Sequence, residues 1–214
     1  ELAGFDWAKD MVHVAYGMVS LEEGSMSTRK GNAVWLADVL DKAVEKALDI
    51  ITEKTPDLEY KRETAEQIGV GAVMFSAPCN ARIKDITFSL DRVLNFDGET
   101  APYLQYTYAR CRSIEQKIKQ TRIAPDPNGI DNDEAWEVIR HIEKFVRTVE
   151  TAAERYEPSL ISNYLIDLAQ VFNRFYLAHR VINEDKGVEN ARLALVKTVA
   201  TVSYTHLRAH ETGR

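Results

Sequence analysis

Cysteine is nearly absent from this chain, and the little there is makes no metal or redox motif. Cys79 and Cys111 stand too far apart for a CxxC pair, and each falls in helix-like sequence where a free thiol packs as a small hydrophobe. A reducing, cytoplasmic setting is the expectation. Long apolar runs are also missing: no stretch of about eighteen apolar residues exists, so no segment reads as a membrane-spanning helix. The opening Glu-Leu-Ala-Gly-Phe-Asp has neither an initiator Met nor a basic-then-apolar leader, and the chain reads as cut from something longer. A surplus of positive charge is lacking too. With 27 Lys and Arg against 33 Asp and Glu, the net charge of −6 gives no general attraction for a polyanion, so any nucleic-acid contact must come from a local face. No Ser/His/Asp set, GxGxxG or zinc pattern is visible, and His141 and His179 lack ligand spacing and read as surface or boundary residues.

What is present suffices for a core: 45% of the 214 residues are apolar and 9% aromatic. Residues 11–21 are short, apolar and β-rich and end at the turn Glu22-Glu23-Gly24, which reads as a strand entering a loop. Leu36, Val39, Leu40, Ala43, Val44, Ala47, Leu48 and Ile51 then follow helical spacing up to Lys54-Thr-Pro56. A second helix is expected from about Lys61 to Ala77, with Gly69 and Gly71 marking close packing against a neighbour. Asp85 to Phe96 is ambiguous between strand and helix. From Gly98 the pattern is helical: about Thr100 to Thr121, then a helix carrying Trp136, Ile139, Ile142, Phe145, Val146, Val149 and Ala153. A third starts at Glu157-Pro158-Ser159, and a last one begins near Asn190. Glu99 is expected to cap the first of these, and the acidic run Asp131, Asp133, Glu134 and Glu137 to be a solvated helix start.

The expected architecture is mostly α. Residues 1–96 read as the C-terminal end of a Rossmann-like α/β domain, and residues 97–201 as an α-helical bundle of roughly four helices. In residues 202–214 the apolar spacing lapses, and Val202-Ser-Tyr-Thr-His-Leu-Arg-Ala-His-Glu-Thr212 resembles the translation of a sequencing-library adapter. This tail is set aside as non-native, which removes His206 and His210 as metal candidates.

The feature that bears most on reaction type is the loop Gly24-Ser-Met-Ser-Thr-Arg-Lys-Gly31. Phosphate transfer or release needs positive charge and hydrogen-bond donors at a pyrophosphate, and glycine hinges let a loop close and reopen. Ser27, Thr28, Arg29 and Lys30 supply that set. Alone, such a dibasic loop is more often simply solvated. Order and context add weight. His13-Val-Ala-Tyr-Gly-Met-Val19, a short acidic turn, Met26-Ser-Thr-Arg-Lys-Gly-Asn32 and an amphipathic helix resemble the end of the nucleotide-binding domain of a class I aminoacyl-tRNA synthetase. Phe96-Asp-Gly-Glu-Thr-Ala-Pro-Tyr-Leu-Gln-Tyr-Thr-Tyr-Ala-Arg110 is similar to a segment of arginyl-tRNA synthetases, and Leu168-Ala-Gln-Val-Phe-Asn-Arg-Phe-Tyr176 resembles part of their helical anticodon-binding domain.

That resemblance implies ligation of arginine to its tRNA through an arginyl-adenylate, with ATP as substrate, Mg²⁺ on its phosphates and no protein-held metal. It assigns pyrophosphate stabilisation to Ser27, Thr28, Arg29 and Lys30 beside Met26, and the adenine side to His13, Gly17, Met18 and Val19. Ser25 stands where a lysine is common and Ala101 where the family usually has glycine. No HIGH-like nucleotide motif occurs, so the piece is expected to bind or support but not to adenylate alone. The expected state is a monomer. For RNA, unpaired bases are read by aromatic stacking and edge hydrogen bonds, with Arg or Lys on phosphates. Tyr103, Gln105, Tyr106 and Arg110, with Asn173, Arg174 and Tyr176, offer those groups, although aromatics such as Tyr106 or Phe172 at helical spacing equally suit a core. Asn173, Arg174 and Arg110 stand out because polar groups on an apolar stripe need a reason. Two alternatives remain open at this point: another class I synthetase with a similar bundle, such as the cysteine or methionine enzyme, and a helical RNA- or protein-binding module without ATP chemistry.

Overall fold

In the computed structural model, residues 2–22, 34–118, 127–130 and 132–209 are described. The chain is mostly helical, with one two-stranded parallel sheet among the described residues. Strand β1 (Val19–Leu21) pairs with β2 (Ile86–Phe88), Val19 opposite Ile86. Between them lie helices α1 (Leu36–Lys54) and α2 (Lys61–Ser76). The strand expected over residues 11–21 is thus reduced to its last three residues. A ladder extends only as far as a partner does, and Gly17 N–H already turns away to the Arg82 carbonyl at 2.6 Å.

Ala43, Val44, Ala47 and Ile51 form the buried stripe of α1, which lies against Ala65, Gly69 and Ala72 of α2. Gly69 permits that closeness. A Cβ there would lie 2.7 Å from Val44 N and 2.8 Å from the Ala43 carbonyl oxygen, both backbone atoms of α1. At Gly71 an added Cβ would meet the Gln105 side chain, so the expectation of tight packing at both glycines holds. The ambiguous stretch 85–96 resolves into both alternatives in turn, β2 and then the short helix α3 (Leu90–Val93).

The bundle consists of α4 (Ala101–Ile118), α5 (Asp133–Glu143), α6 (Phe145–Glu154), α7 (Ser159–Ala178) and α8 (Lys186–Ala209). The single helix expected through Trp136 and Ala153 is therefore two, joined at Lys144, whose own N–H turns back to His141 O at 3.1 Å. Its apolar periodicity continues across the joint because both halves face α7, which hides the break from the sequence. Helix α8 starts four residues earlier than expected. Asp185 accepts from Gly187 N at 2.8 Å and Val188 N at 3.2 Å, satisfying first-turn donors.

The bundle core centres on α7, where Leu168, Phe172 and Phe175 are fully buried among Leu104, Val138, Leu193, Val196 and Val199. Each such side chain contributes on the order of 1.5–3 kcal/mol by leaving water. A smaller core joins α1, α2 and Leu94. Phe75 of α2 belongs to the larger core, and α2 lies against α4, so the two parts share one seam. Helix α8 runs on to Ala209 with Val202 and Ser203 buried, although apolar spacing lapses at Val202.

Candidate functional site

On the strand side, the segment leading into β1 is held from the loop before β2. Met18 N–H donates to Asp85 Oδ1 at 2.7 Å, and Met18 O accepts from Ile86 N at 2.9 Å. Gly17 is the one residue type that fits its place. A Cβ there would stand 2.2 Å from Lys84 O and 2.7 Å from Asp85 N. Of the four residues expected beside a nucleotide, Gly17, Met18 and Val19 are thereby fixed in one short extended run, and His13 lies exposed upstream of it. Met11, Val12, Val14, Tyr16, Met18 and Val19 are all exposed apolar side chains. Met26, Ser27, Thr28, Arg29 and Lys30 lie outside the described residues.

On the bundle side, α4 and α7 bring five of the seven expected RNA-facing residues into one cluster. The Arg110 guanidinium sits between two rings, 4.7 Å from the centre of Tyr106 and 4.6 Å from that of Tyr176. It also donates to Asn173 Oδ1. Asn173 Nδ2 donates in turn to Tyr103 Oη at 2.9 Å and to Thr107 Oγ1 at 3.0 Å. The helical repeat explains the grouping: Tyr103, Tyr106 and Arg110 lie three or four residues apart on α4, as do Asn173 and Tyr176 on α7. Tyr106 is 55% exposed, and Phe172 is wholly buried and stacks beneath Tyr176 at 6.3 Å. Each cation–π contact of this kind is worth about 0.5–1 kcal/mol at an exposed site. The cluster is a preassembled, half-exposed cationic and aromatic surface.

Asn173 has an internal reason for its polarity. All three of its hydrogen bonds are made within the cluster, so it orients Arg110 and Tyr103 rather than presenting free edges. The remaining two expected residues sit apart. Gln105 turns from that surface into the seam with α2, where Nε2 donates to Gln67 O at 3.3 Å and Oε1 is buried without a partner. Arg174 Nη2 pairs with Glu137 Oε1 at 2.9 Å and is half exposed.

Several interactions escaped the sequence reading. The acidic run is not merely solvated: Glu137 holds Arg174, and Glu134 holds His179 Nε2 at 3.0 Å while His179 stacks on Phe175. That histidine contact, first of all, holds the Glu134 carboxyl below the usual carboxylate range. The cap of α4 is Thr100, whose Oγ1 accepts from Tyr103 N at 3.4 Å, in place of Glu99. Thr107 could have been found as the residue one turn after Tyr103, whereas Arg82, between α2 and β2, carries no periodic signal. Burial pushes the Cys79 and Cys111 thiols up to about 12, which disfavours their thiolate forms. No helix among the described residues is long and apolar enough to cross a membrane.

Two family models match consecutive stretches of the chain. Residues 1–90 match "tRNA synthetases class I (R), catalytic domain", and residues 104–209 match the "DALR anticodon binding domain". The strand-side segment and the bundle therefore define the class: the end of a class I aminoacyl-tRNA synthetase catalytic domain joined to a helical anticodon-binding domain. Over 97% of its length the chain is 48% identical to the arginine–tRNA ligase of Halothermothrix orenii, and over 92% it is 46% identical to that of Clostridioides difficile. The arginyl-tRNA synthetase of Thermus thermophilus superposes with a TM-score of 0.89 at 33% identity over 98% of the chain. That of Plasmodium falciparum, at 21% identity and a TM-score of 0.75, shares the fold. The chain belongs to the arginyl-tRNA synthetase family. It spans 37% and 35% of the two ligases and 36% of the Thermus chain, a little over a third of each.

Proposed function

We propose that this chain is the part of an arginine–tRNA ligase that carries the pyrophosphate-stabilising loop and grips the tRNA anticodon, and that it is inactive without the upstream half of the nucleotide site. The whole enzyme attaches arginine to its tRNA through an arginyl-adenylate, in the cytoplasm, at the expense of ATP. Mg²⁺ enters with the ATP phosphates as a hard cation held by oxygen. Ser27, Thr28, Arg29 and Lys30 donate to the departing pyrophosphate, with Met26 beside them, and Gly17, Met18, Val19 and His13 border the adenine. Residues 1–96 supply the first function and residues 97–201 the second, with residues 202–214 a non-native tail.

The observation that carries the RNA half is the Arg110 guanidinium held between Tyr106 and Tyr176. Unpaired bases stack on aromatic and guanidinium planes for about 1–3 kcal/mol each, and a cation fixed beforehand loses little entropy on binding. Asn173 and Tyr103 keep it fixed, and Arg174 adds a phosphate-directed charge at the edge. The test is binding of a labelled tRNA for arginine to the chain by fluorescence anisotropy. Tyr106→Ala and Arg110→Ala each weaken binding roughly five- to 100-fold, and a tRNA for another amino acid binds the parent more weakly. Equal binding of all tRNAs, with no loss in either variant, would favour a helical module without a role in charging.

A further inference from the structure

Arg82 touches both parts of the chain at once. Its Nε donates to Tyr156 O at 2.9 Å, in the turn between α6 and α7, and its Nη1 donates to Ala15 O at 2.5 Å, just before β1. Its main chain repeats the pattern, since Arg82 N–H donates to Glu157 Oε1 at 3.3 Å and Arg82 O accepts from Gly17 N at 2.6 Å. Four contacts thus bind one residue to the α6–α7 turn and to the strand segment.

The turn is itself tightly determined. Tyr156 N donates to Ala153 O at 3.2 Å and Glu157 N to Ala152 O at 2.9 Å, the paired bonds of a helix ended by a left-handed residue. Tyr156 holds that left-handed position at φ 51, where glycine is usual. Glu157 Oε1 also accepts from Ser159 Oγ at 2.8 Å, at the first residue of α7. Helix α7 carries Asn173, Arg174 and Tyr176. A continuous line of hydrogen bonds therefore runs from the start of α7 through Glu157 and Arg82 to Ala15 and Gly17. A guanidinium suits the middle of such a line because its rigid fork spans two carbonyls at once, which one ammonium does not.

We propose that Arg82 is a positioning residue that locks the turn entering α7 to the strand segment Ala15–Val19, so that displacement of either is carried to the other. The functional sense of the lock, occupancy of the bundle being felt beside the nucleotide, rests on the reading above; the lock does not.

Amide hydrogen exchange of the whole chain tests it, using Arg82→Met, Arg82→Lys, Glu157→Gln and the double variant Arg82→Met with Glu157→Gln. Charge-assisted bonds of this kind correspond to about tenfold or more in a local opening equilibrium. Arg82→Met therefore raises exchange of the Gly17 and Met18 amides, which are bonded to Arg82 O and Asp85 Oδ1, about tenfold, and Arg82→Lys raises it less. Glu157→Gln weakens the bond from the Arg82 main-chain N–H and so raises exchange to a smaller extent; Arg82→Met leaves that N–H in place, so the double variant exchanges faster than either single variant. No rise at Gly17 and Met18 in Arg82→Met, a double variant no faster than Glu157→Gln alone, or a rise spread evenly over α5, α7 and α8 would overturn the proposal. Should Arg82→Met not fold, the response of the Gly17 and Met18 amides to Arg82→Lys and Glu157→Gln decides the matter. The readout uses neither ATP nor RNA, so its failure leaves the synthetase reading standing, and failure of tRNA binding leaves the lock standing.

Discussion

Replacing Asn173 separates the architecture of the Arg110 cluster from its use. The side chain makes two neutral hydrogen bonds, to Tyr103 and Thr107, and one to a guanidinium. Taken singly these are worth about 1 kcal/mol each for the neutral pair and about 1.5–3 kcal/mol for the charged one. Their sum overstates the cost of Asn173→Ala, because not every partner is orphaned. Thr107, only 1% exposed, keeps its bond to Tyr103 O at 3.0 Å, and Arg110 retains two rings and access to water. A loss of roughly 1–3 kcal/mol follows, which at about 2–4 °C per kcal/mol for a chain of this size lowers Tm by roughly 2–12 °C. Asn173→Asp behaves differently. Its carboxylate still accepts from Arg110 and can accept from the Tyr103 hydroxyl, whereas Thr107, whose one proton goes to Tyr103 O, cannot donate to it, so Tm falls less than in Asn173→Ala. The added negative charge faces incoming phosphate, however, and tRNA binding falls about tenfold or more. Circular-dichroism melts and anisotropy with a labelled tRNA at two salt concentrations measure both. If Asn173→Ala melts with the parent, or if Asn173→Asp binds tRNA as well as the parent, the reasoning is wrong.

Three further outcomes are expected. Gly69→Ala gains about 1 kcal/mol of helix propensity, but its Cβ meets α1 backbone at 2.7 Å, a clash costing on the order of 1–3 kcal/mol or more. The variant therefore melts below the parent, while Gly71→Ala, which meets only the tip of Gln105, melts close to it. The carboxyls of Glu134, held down chiefly by His179, and Glu157, held down chiefly by the Ser159 hydroxyl, have folded pKa values below their unfolded ones. Their contribution is complete above the ordinary carboxylate value of about 4.3 and is lost as pH falls through the lowered folded values. Melting temperature thus holds from neutral pH down to about 5 and drops below it, and Glu157→Gln makes the acid limb shallower; an unchanged limb would count against the assignment. In the enzyme with its upstream half restored, Arg29→Ala with Lys30→Ala slows adenylate formation more than it weakens arginine binding, since charge placed on a leaving pyrophosphate acts on the transition state. Stopped-flow and equilibrium titration separate the two, and equal losses would refute that role.

The helices α1, α2, α4 and α7 could be read from apolar spacing alone, because the apolar residues of each recur at helical spacing whichever neighbours they meet. So could the family, whose motifs rest on contiguous residues. The break at Lys144 and the early start of α8 could not, since the first leaves the apolar face intact and the second depends on one aspartate satisfying first-turn amides. Asn173, Arg110 and Arg174 stand out in the sequence as polar groups on an apolar stripe, and their partners in the structure differ. Asn173 spends its polarity inside the bundle, Arg174 on Glu137, and Arg110 on a half-exposed surface. Gln105, one residue from Tyr106, belongs to a different face altogether because successive helix positions point about 100° apart.

Local order along the chain thus determined by itself which segments coil, where the Met-Ser-Thr-Arg-Lys motif lies and which family the chain belongs to, since periodicity and motif are properties of neighbours in sequence. Only tertiary structure decided that Arg110 lies between rings from two helices, that Gly69 and Gly17 lie against foreign backbone, and that Arg82 joins Ala15, 67 residues before it, to a turn 74 residues after it. Those contacts unite residues far apart in the chain, and their energies come from distances that no spacing rule encodes.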